Sequence, residues 1–213
     1  MELKNTKTEK NLLKAFECER EARNKYVYYA TLINEDGYDQ ITSIFYETAD
    51  NEKAHAMLWI KTLRKSPLVQ DKSLENAIFN SEVDYDIEHK VTMQQIMNRE
   101  KIPTTYDILI NSAKDENSES EMYENMSKDA QEDGFDDIAE KFRLVAEIEK
   151  QHAQRFLILA KNIKDKKVYN KDTLVEWQCR NCGYTEKSKD APIVCPVCRY
   201  GRKFFQVKNE TYK

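Results

Sequence analysis

The chain has 213 residues, of which 40% are hydrophobic and 34% charged, with a formal net charge of -4. Four glycines and four prolines are too few for an all-β protein of this length, and the interspersed charges offer no footprint for nucleic acid or an anionic membrane. No apolar run approaches the ~18 residues of a membrane span, and Met1 to Lys10 lacks the apolar core of a secretory signal, so the cytoplasm is the expected compartment.

Alternating steps of four and three residues trace one apolar stripe along each of four predicted helices. The first reads Leu12, Ala15, Glu19, Ala22, Tyr26, Tyr29, Ile33, and Gly37 then supplies the residue that stops the helix and reverses the chain. The second reads Phe45, Thr48, Glu52, His55, Trp59, Thr62. A long connection follows, from about Lys65 to Thr105, whose segment Ser73 to Met97 carries enough apolar positions for one or two further helices. The third helix reads Leu109, Ser112, Glu116, Glu119, Tyr123, Met126, Ala130. Shifting its register back by one residue gives a mostly polar face through Asp115 and Ser118, so periodicity selects Glu116 and Glu119. After a turn at Gly134, the fourth reads Ile138, Phe142, Val145, Glu149, His152, Phe156, Leu159. Two consecutive hairpins joined by one long crossover predict a mainly α, ferritin-like four-helix bundle over residues 1–163. Lys164 to Asp172 reads as a basic linker, and a second, small domain is expected over 173–213.

An offset of 97 residues lays Glu19 on Glu116, Glu52 on Glu149, His55 on His152 and Glu35-Asp36-Gly37 on Glu132-Asp133-Gly134. The hairpin therefore reads as duplicated, with its rare polar residues duplicated along with it. Burying several unpaired carboxylates in one core layer would cost several kcal/mol each, whereas two divalent cations nearly neutralise Glu19, Glu52, Glu116, Glu119 and Glu149. Glu and His at i and i+3 share a helical face, so each Glu-x-x-His pair can present a carboxylate and an imidazole to a dinuclear site. Mixed oxygen and nitrogen donors suit iron or manganese better than calcium. Tyr26 and Tyr123 correspond in the repeat, and their hydroxyls can reach ligands or simply fill the core. Glu119 has Ala22 as its counterpart, which makes the two metal positions unequal. Asp86 and His89 share the same spacing without a counterpart, and His89 is read as surface; Cys18, on another face than Glu19, is read as a packed thiol.

Cys179-Arg-Asn-Cys182 and Cys195-Pro-Val-Cys198 are two knuckles separated by 12 residues, a spacing that lets four thiolates enclose one metal. A structural zinc ribbon is the default for that spacing; Gly183-Tyr184, Trp177 and Phe204-Phe205 around the knuckles look like a rubredoxin, which holds one iron.

The two parts together resemble rubrerythrin over almost the whole chain. The resemblance rests on Phe16 to Tyr29, Glu52-Lys-Ala-His55, Glu149-Lys-Gln-His152, Glu116-x-x-Glu119 and the knuckles from Trp177 to Cys198. It implies two irons bridged by Glu52 and Glu149, with Glu19 and Glu116 as terminal ligands, His152 on one iron, and Glu119 exchanging with His55 on the other during reduction. It implies further that Cys179, Cys182, Cys195 and Cys198 hold a third iron, and that Glu119, His55, Tyr26 and Tyr123 are the candidates for catalytic roles. The implied activity is reduction of hydrogen peroxide to water, with electrons arriving through the four-thiolate iron from a separate NAD(P)H-dependent reductase or rubredoxin-type donor, in a head-to-tail homodimer. Two other readings compete: a ferroxidase that handles iron, and a binding protein stabilised by a zinc ribbon.

Overall fold

The computed structural model describes residues 2–63 and 103–210, which form four long helices followed by a small sheet. They are α1 (Lys7–Glu35), α2 (Asp39–Leu63), α3 (Thr105–Glu132) and α4 (Asp136–Lys164). The connection from Lys65 to Ile102, with its expected helices and His89, lies outside the described residues. Local chemistry sets the helix ends. The Thr6 side chain accepts from the Glu9 N–H to start α1, and Thr104 forms a reciprocal capping box with Asp107 at α3. Gly37 and Gly134 adopt φ of 86° and 81°, and the next N–H reaches back to a carbonyl five residues earlier, Tyr38 to Ile33 and Phe135 to Ala130. These are Schellman stops, and the positive φ is why glycine stands at both.

The two turns lie at opposite ends of the bundle, and each fastens the other hairpin. At one end the Asp36 carboxylate accepts from the Thr105 N–H at 3.1 Å and the Thr105 hydroxyl at 2.6 Å. At the other, Asp133 accepts from the Thr8 N–H at 2.8 Å and the Thr8 hydroxyl at 2.7 Å. The same repeat offset relates the two clamps. Asp36→Ala and Asp133→Ala should each lower stability by about 1–2 kcal/mol, the usual cost of a lost helix-start acceptor. Because the clamps sit far apart, the double variant should show the sum. Urea unfolding of the full chain measures this, and a strongly sub-additive pair would show that the clamps do not act independently.

The apolar core falls into two clusters separated by a polar layer. One contains Leu12, Phe16, Trp59, Tyr123, Ile138 and Phe142; the other contains Tyr26, Ile33, Phe45, Leu109 and Phe156. The stripes face inward as the periodicity predicts, with Tyr29, Glu119 and Leu159 half-buried at their edges, while Asp115 and Ser118 of the rejected register are exposed.

The sheet has order β2-β1-β3, all antiparallel, from β1 (Asn170–Cys179), β2 (Thr185–Asp190) and β3 (Phe205–Val207). β1 begins inside the stretch read as linker, because Asn170 pairs with Asp190 and the Ala191 N–H donates to the Tyr169 carbonyl at 2.9 Å. Trp177, Cys179, Ala191, Cys195 and Phe205 form its core. This unit packs on the Gly37 end of the bundle. Tyr169 stacks on Tyr38 with centroids 6.2 Å apart and its hydroxyl donates to the Gly37 carbonyl, while Arg180 pairs with Asp39 at 2.7 Å.

Candidate metal centres

Four helices bring six polar side chains to the layer between the two apolar clusters. Glu19 comes from α1, Glu52 and His55 from α2, Glu116 from α3, and Glu149 and His152 from α4; all are buried. The i, i+3 spacing places each histidine one turn beyond its glutamate. The fold then turns the two pairs face to face, with the imidazoles 6.3 Å apart and nearly parallel.

The oxygens divide into two sets. His55 Nδ1 lies 3.1 Å from Glu52 Oε2, 3.1 Å from Glu149 Oε1 and 3.5 Å from Glu19 Oε2. His152 Nδ1 lies 3.3 Å from Glu52 Oε1, 2.9 Å from Glu149 Oε2 and 3.7 Å from Glu116 Oε2. Glu52 and Glu149 thus send one oxygen to each set, whereas Glu19 and Glu116 each send one oxygen to a single set. Within each set the ligand atoms lie within 4.8 Å of one another. One imidazole nitrogen carries at most one proton and cannot satisfy three carboxylates. Accordingly Glu19 Oε2, Glu52 Oε1, Glu116 Oε2, both Glu149 oxygens and His152 Nδ1 are buried without a hydrogen-bond partner. Orphaned anionic oxygens converging on a nitrogen are what a divalent cation satisfies, so the residues fit a dinuclear metal site.

The electrostatics of the cluster point the same way. Burial pushes the carboxyls of Glu19 and Glu116 up to about 8. Burial also opposes charge on the imidazoles, but the surrounding carboxylates outweigh it, holding His55 far above its ordinary value and raising His152 to about 11. At Glu149 burial is outweighed by His152 and His55, and the carboxyl falls to about 2. Carboxylates and imidazoles that compete for protons in this way are groups whose protons a bound cation releases.

The two tyrosines of the repeat bond the glutamates, and each reaches across to the opposite hairpin. Tyr26 on α1 donates to Glu116 Oε1 on α3, and Tyr123 on α3 donates to Glu19 Oε1 on α1. Trp59 Nε1 donates to Tyr123 Oη at 3.1 Å and to Glu19 Oε1 at 3.3 Å. Trp59 stands in the second stripe, where the repeat sets it against Phe156, and an indole N–H among hydrocarbon needs a partner, the one signal in the sequence for this role. Glu119 is half-buried and stands outside both ligand sets; burial, then the charge of Glu116, pushes its carboxyl up to about 9. Cys18 is half-buried, and burial raises its thiol.

The four cysteines of the small unit form the other cluster. Cys179 and Cys198 sulfurs lie 3.7 Å apart and Cys182 and Cys195 sulfurs 3.6 Å apart. All four sulfurs lie within 4.8 Å of one another, and a regular tetrahedron with edges like the two shortest would have its centre roughly 2.3 Å from each corner, the length of a metal–thiolate bond. Both knuckles are wound alike. Cys179 N–H donates to the Tyr184 carbonyl and Cys195 N–H to the Tyr200 carbonyl, each at 2.8 Å, and the residues after the second cysteines, Gly183 and Arg199, take φ of 80° and 64°. The Tyr200 N–H lowers the half-buried Cys198 thiol to about 6, whereas burial raises Cys179.

Comparison with known proteins matches both parts of the chain. The rubrerythrin family model matches residues 10–102 and 107–181, and the model described as the rubredoxin-like domain of rubrerythrin matches residues 177–206. The chain is 38% identical to rubrerythrin-1 of Clostridium acetobutylicum and 38% identical to rubrerythrin of Clostridium perfringens, in both cases over 99% of this chain and 98% of the relative. It is 34% identical to rubrerythrin of Porphyromonas gingivalis over 99% of this chain and 94% of the relative. Among solved structures, partially reduced nigerythrin superposes with a TM-score of 0.57 at 24% identity, covering 97% of this chain and 91% of that one, which is a likeness of fold.

Proposed function

The chain belongs to the rubrerythrin family, and on that premise we propose that it is a non-haem di-iron peroxidase that reduces hydrogen peroxide to water. Its cofactors are iron, in a ferritin-like dinuclear site and a rubredoxin-like mononuclear one. The observation that carries the reading is the division of oxygens: Glu52 and Glu149 each face both imidazoles, as bridging ligands must, while Glu19 and Glu116 each face one. In this reading residues 1–163 form the di-iron unit, and the sheet unit that begins at Asn170 rather than at residue 173 is the one-iron unit. His55 and His152 complete the two sets, and Cys179, Cys182, Cys195 and Cys198 hold the third iron.

Held by Glu19, Glu52, His55, Glu116, Glu149 and His152, a ferrous pair would supply the two electrons that peroxide reduction requires, and an iron held by Cys179, Cys182, Cys195 and Cys198 would supply electrons singly. The protein's residues do the rest. Two protons and two electrons turn one peroxide into two waters, and Glu119, half-buried beside Glu116 with a proton held by burial, is the residue we assign to proton delivery. Tyr26 and Tyr123 occupy the Oε1 atoms of Glu116 and Glu19, which leaves each Oε2 turned into the site. The aromatic walls of Phe45, Phe142 and Phe156 exclude bulk water above and below the layer.

Arg180, between the first two cysteines, anchors the small unit to α2 through Asp39 and Ser43, which supports a fixed rather than tethered electron-transfer unit. We assign the electrons to a separate reductase or rubredoxin-type protein, the working assembly to a head-to-tail homodimer, and the compartment to the cytoplasm. Among the described residues no helix is long and apolar enough to cross a membrane. Anaerobic stopped-flow mixing of reduced, iron-loaded protein tests the function. One equivalent of peroxide should oxidise each dinuclear site far faster than dioxygen does. Faster reaction with dioxygen, with iron accumulating beyond the three positions, would replace this reading with iron handling.

A further inference from the structure

Around the dinuclear site the two halves of the repeat build two aromatic boxes, and the boxes differ at one position. Tyr26 packs against Phe45 and Phe156, with centroids at 5.6 and 5.7 Å; Tyr123 packs against Phe142 and Trp59, at 5.8 and 5.5 Å. Tyr26 corresponds to Tyr123 and Phe45 to Phe142, but Phe156 corresponds to Trp59. An indole replaces a phenyl ring, and the substitution adds one buried N–H donor.

That donor is in use. A tyrosine hydroxyl has one proton; because Tyr123 accepts from Trp59 Nε1, its own proton is directed to Glu19 Oε1, and Trp59 Nε1 also reaches that oxygen at 3.3 Å. Phe156 offers nothing equivalent, so Glu116 Oε1 is met by Tyr26. Two donors hold the Glu19 carboxylate where one holds Glu116, and in both residues the inward Oε2 is left without a partner.

We propose that Trp59 is a positioning residue that pre-orients Glu19, directly and through Tyr123, and makes the metal position formed by Glu19, Glu52, Glu149 and His55 the tighter of the two. A carboxylate oriented during folding does not have to be ordered by the incoming cation, so its position binds at lower metal concentration. Removing a residue that orients a metal ligand costs about 10–100-fold in metal affinity. The inference rests on reading the glutamate–histidine layer as a dinuclear site.

Mn(II), which favours oxygen and nitrogen donors over thiolates, is the probe. Crystals of the full chain, stripped of metal and soaked at graded Mn(II), report the occupancy of each position by anomalous scattering, and calorimetry reports the affinities in solution. Wild type should fill the Glu19 side at roughly tenfold lower Mn(II) than the Glu116 side. Trp59→Phe, which recreates the Phe156 side, should weaken the Glu19 side by about tenfold and leave the other unchanged. Tyr123→Phe should weaken the same position, and the double variant, which also removes the direct Trp59 N–H contact with Glu19, should weaken it at least as much while leaving the Glu116 side unchanged. A merely structural role would lower thermal stability without selecting one position. The proposal is overturned if the Glu116 side fills first in wild type, or if Trp59→Phe weakens both positions equally or neither. Absence of Mn(II) from both positions in wild type would overturn the dinuclear reading itself, a result distinct from the others.

Discussion

Glu52→Gln is expected to cost the dinuclear site at least ~100-fold in metal affinity while leaving the four-thiolate iron in place. Glutamine keeps the shape of the side chain but loses its charge, and one of its two terminal atoms becomes an NH2 that cannot ligate. Glu52 is fully buried and sends Oε2 to the His55 set and Oε1 to the His152 set, so the substitution damages both positions at once. A terminal ligand such as Glu19 touches one set. Ligand binding stabilises the folded state by roughly 2.7 kcal/mol when free metal is at 100 times its dissociation constant, and a ~100-fold loss of affinity removes nearly all of that. For a chain of this size the thermal midpoint in the presence of Mn(II) should then fall by about 5–10 °C, with peroxide turnover falling by a similar factor to the affinity. Asp115→Asn is the matched control, because Asp115 lies on the exposed face of the same helix as Glu116. Two ions retained in the Glu52→Gln protein would remove Glu52 from the bridging role.

Cys195→Ser should separate electron delivery from peroxide chemistry. Cys195 is fully buried in a core of five residues, two of which are cysteines of the cluster, so the metal is part of what folds the small unit. Metal binding supplies on the order of 10 kcal/mol to small four-ligand domains, and no comparable hydrocarbon core replaces it here. The visible ferric-thiolate absorption should disappear, and reductase-linked turnover should fall by two orders of magnitude or more. A single turnover of chemically pre-reduced protein with peroxide should stay within about twofold, because the carboxylate layer lies in a different core. Cys18→Ser should leave both measurements unchanged. Undiminished reductase-linked turnover in Cys195→Ser would sink the proposed electron route, and a colourless wild type that binds zinc there would favour the structural ribbon.

Several features were legible from periodicity and spacing because they are local. A stripe of steps four and three finds the buried face, and it found the acids because a buried carboxylate stands out among Leu, Ala and Phe. The duplicated Glu-Asp-Gly tripeptides gave away both chain reversals, since a positive φ after a helix selects glycine. The knuckle spacing placed four sulfurs together without any knowledge of the rest of the chain. By contrast, the role of Asp36 and Asp133 as clamps on the opposite hairpin was invisible, because their partners Thr105 and Thr8 come close only when the hairpins pack.

Acting alone, the sequence determined four amphipathic helices, a polar layer at matched heights in both hairpins, and a four-thiolate knuckle pair, all of which follow from the fixed rise and pitch of helices and the short reach of turns. Tertiary structure decided which carboxylate oxygen faces which imidazole, that Tyr26 serves Glu116 and Tyr123 serves Glu19, that Glu119 stands outside both ligand sets, and that Trp59 adds a donor on one side. Those are relations between side chains on different helices, and they depend on how the helices cross and rotate against one another, which no single-helix periodicity contains.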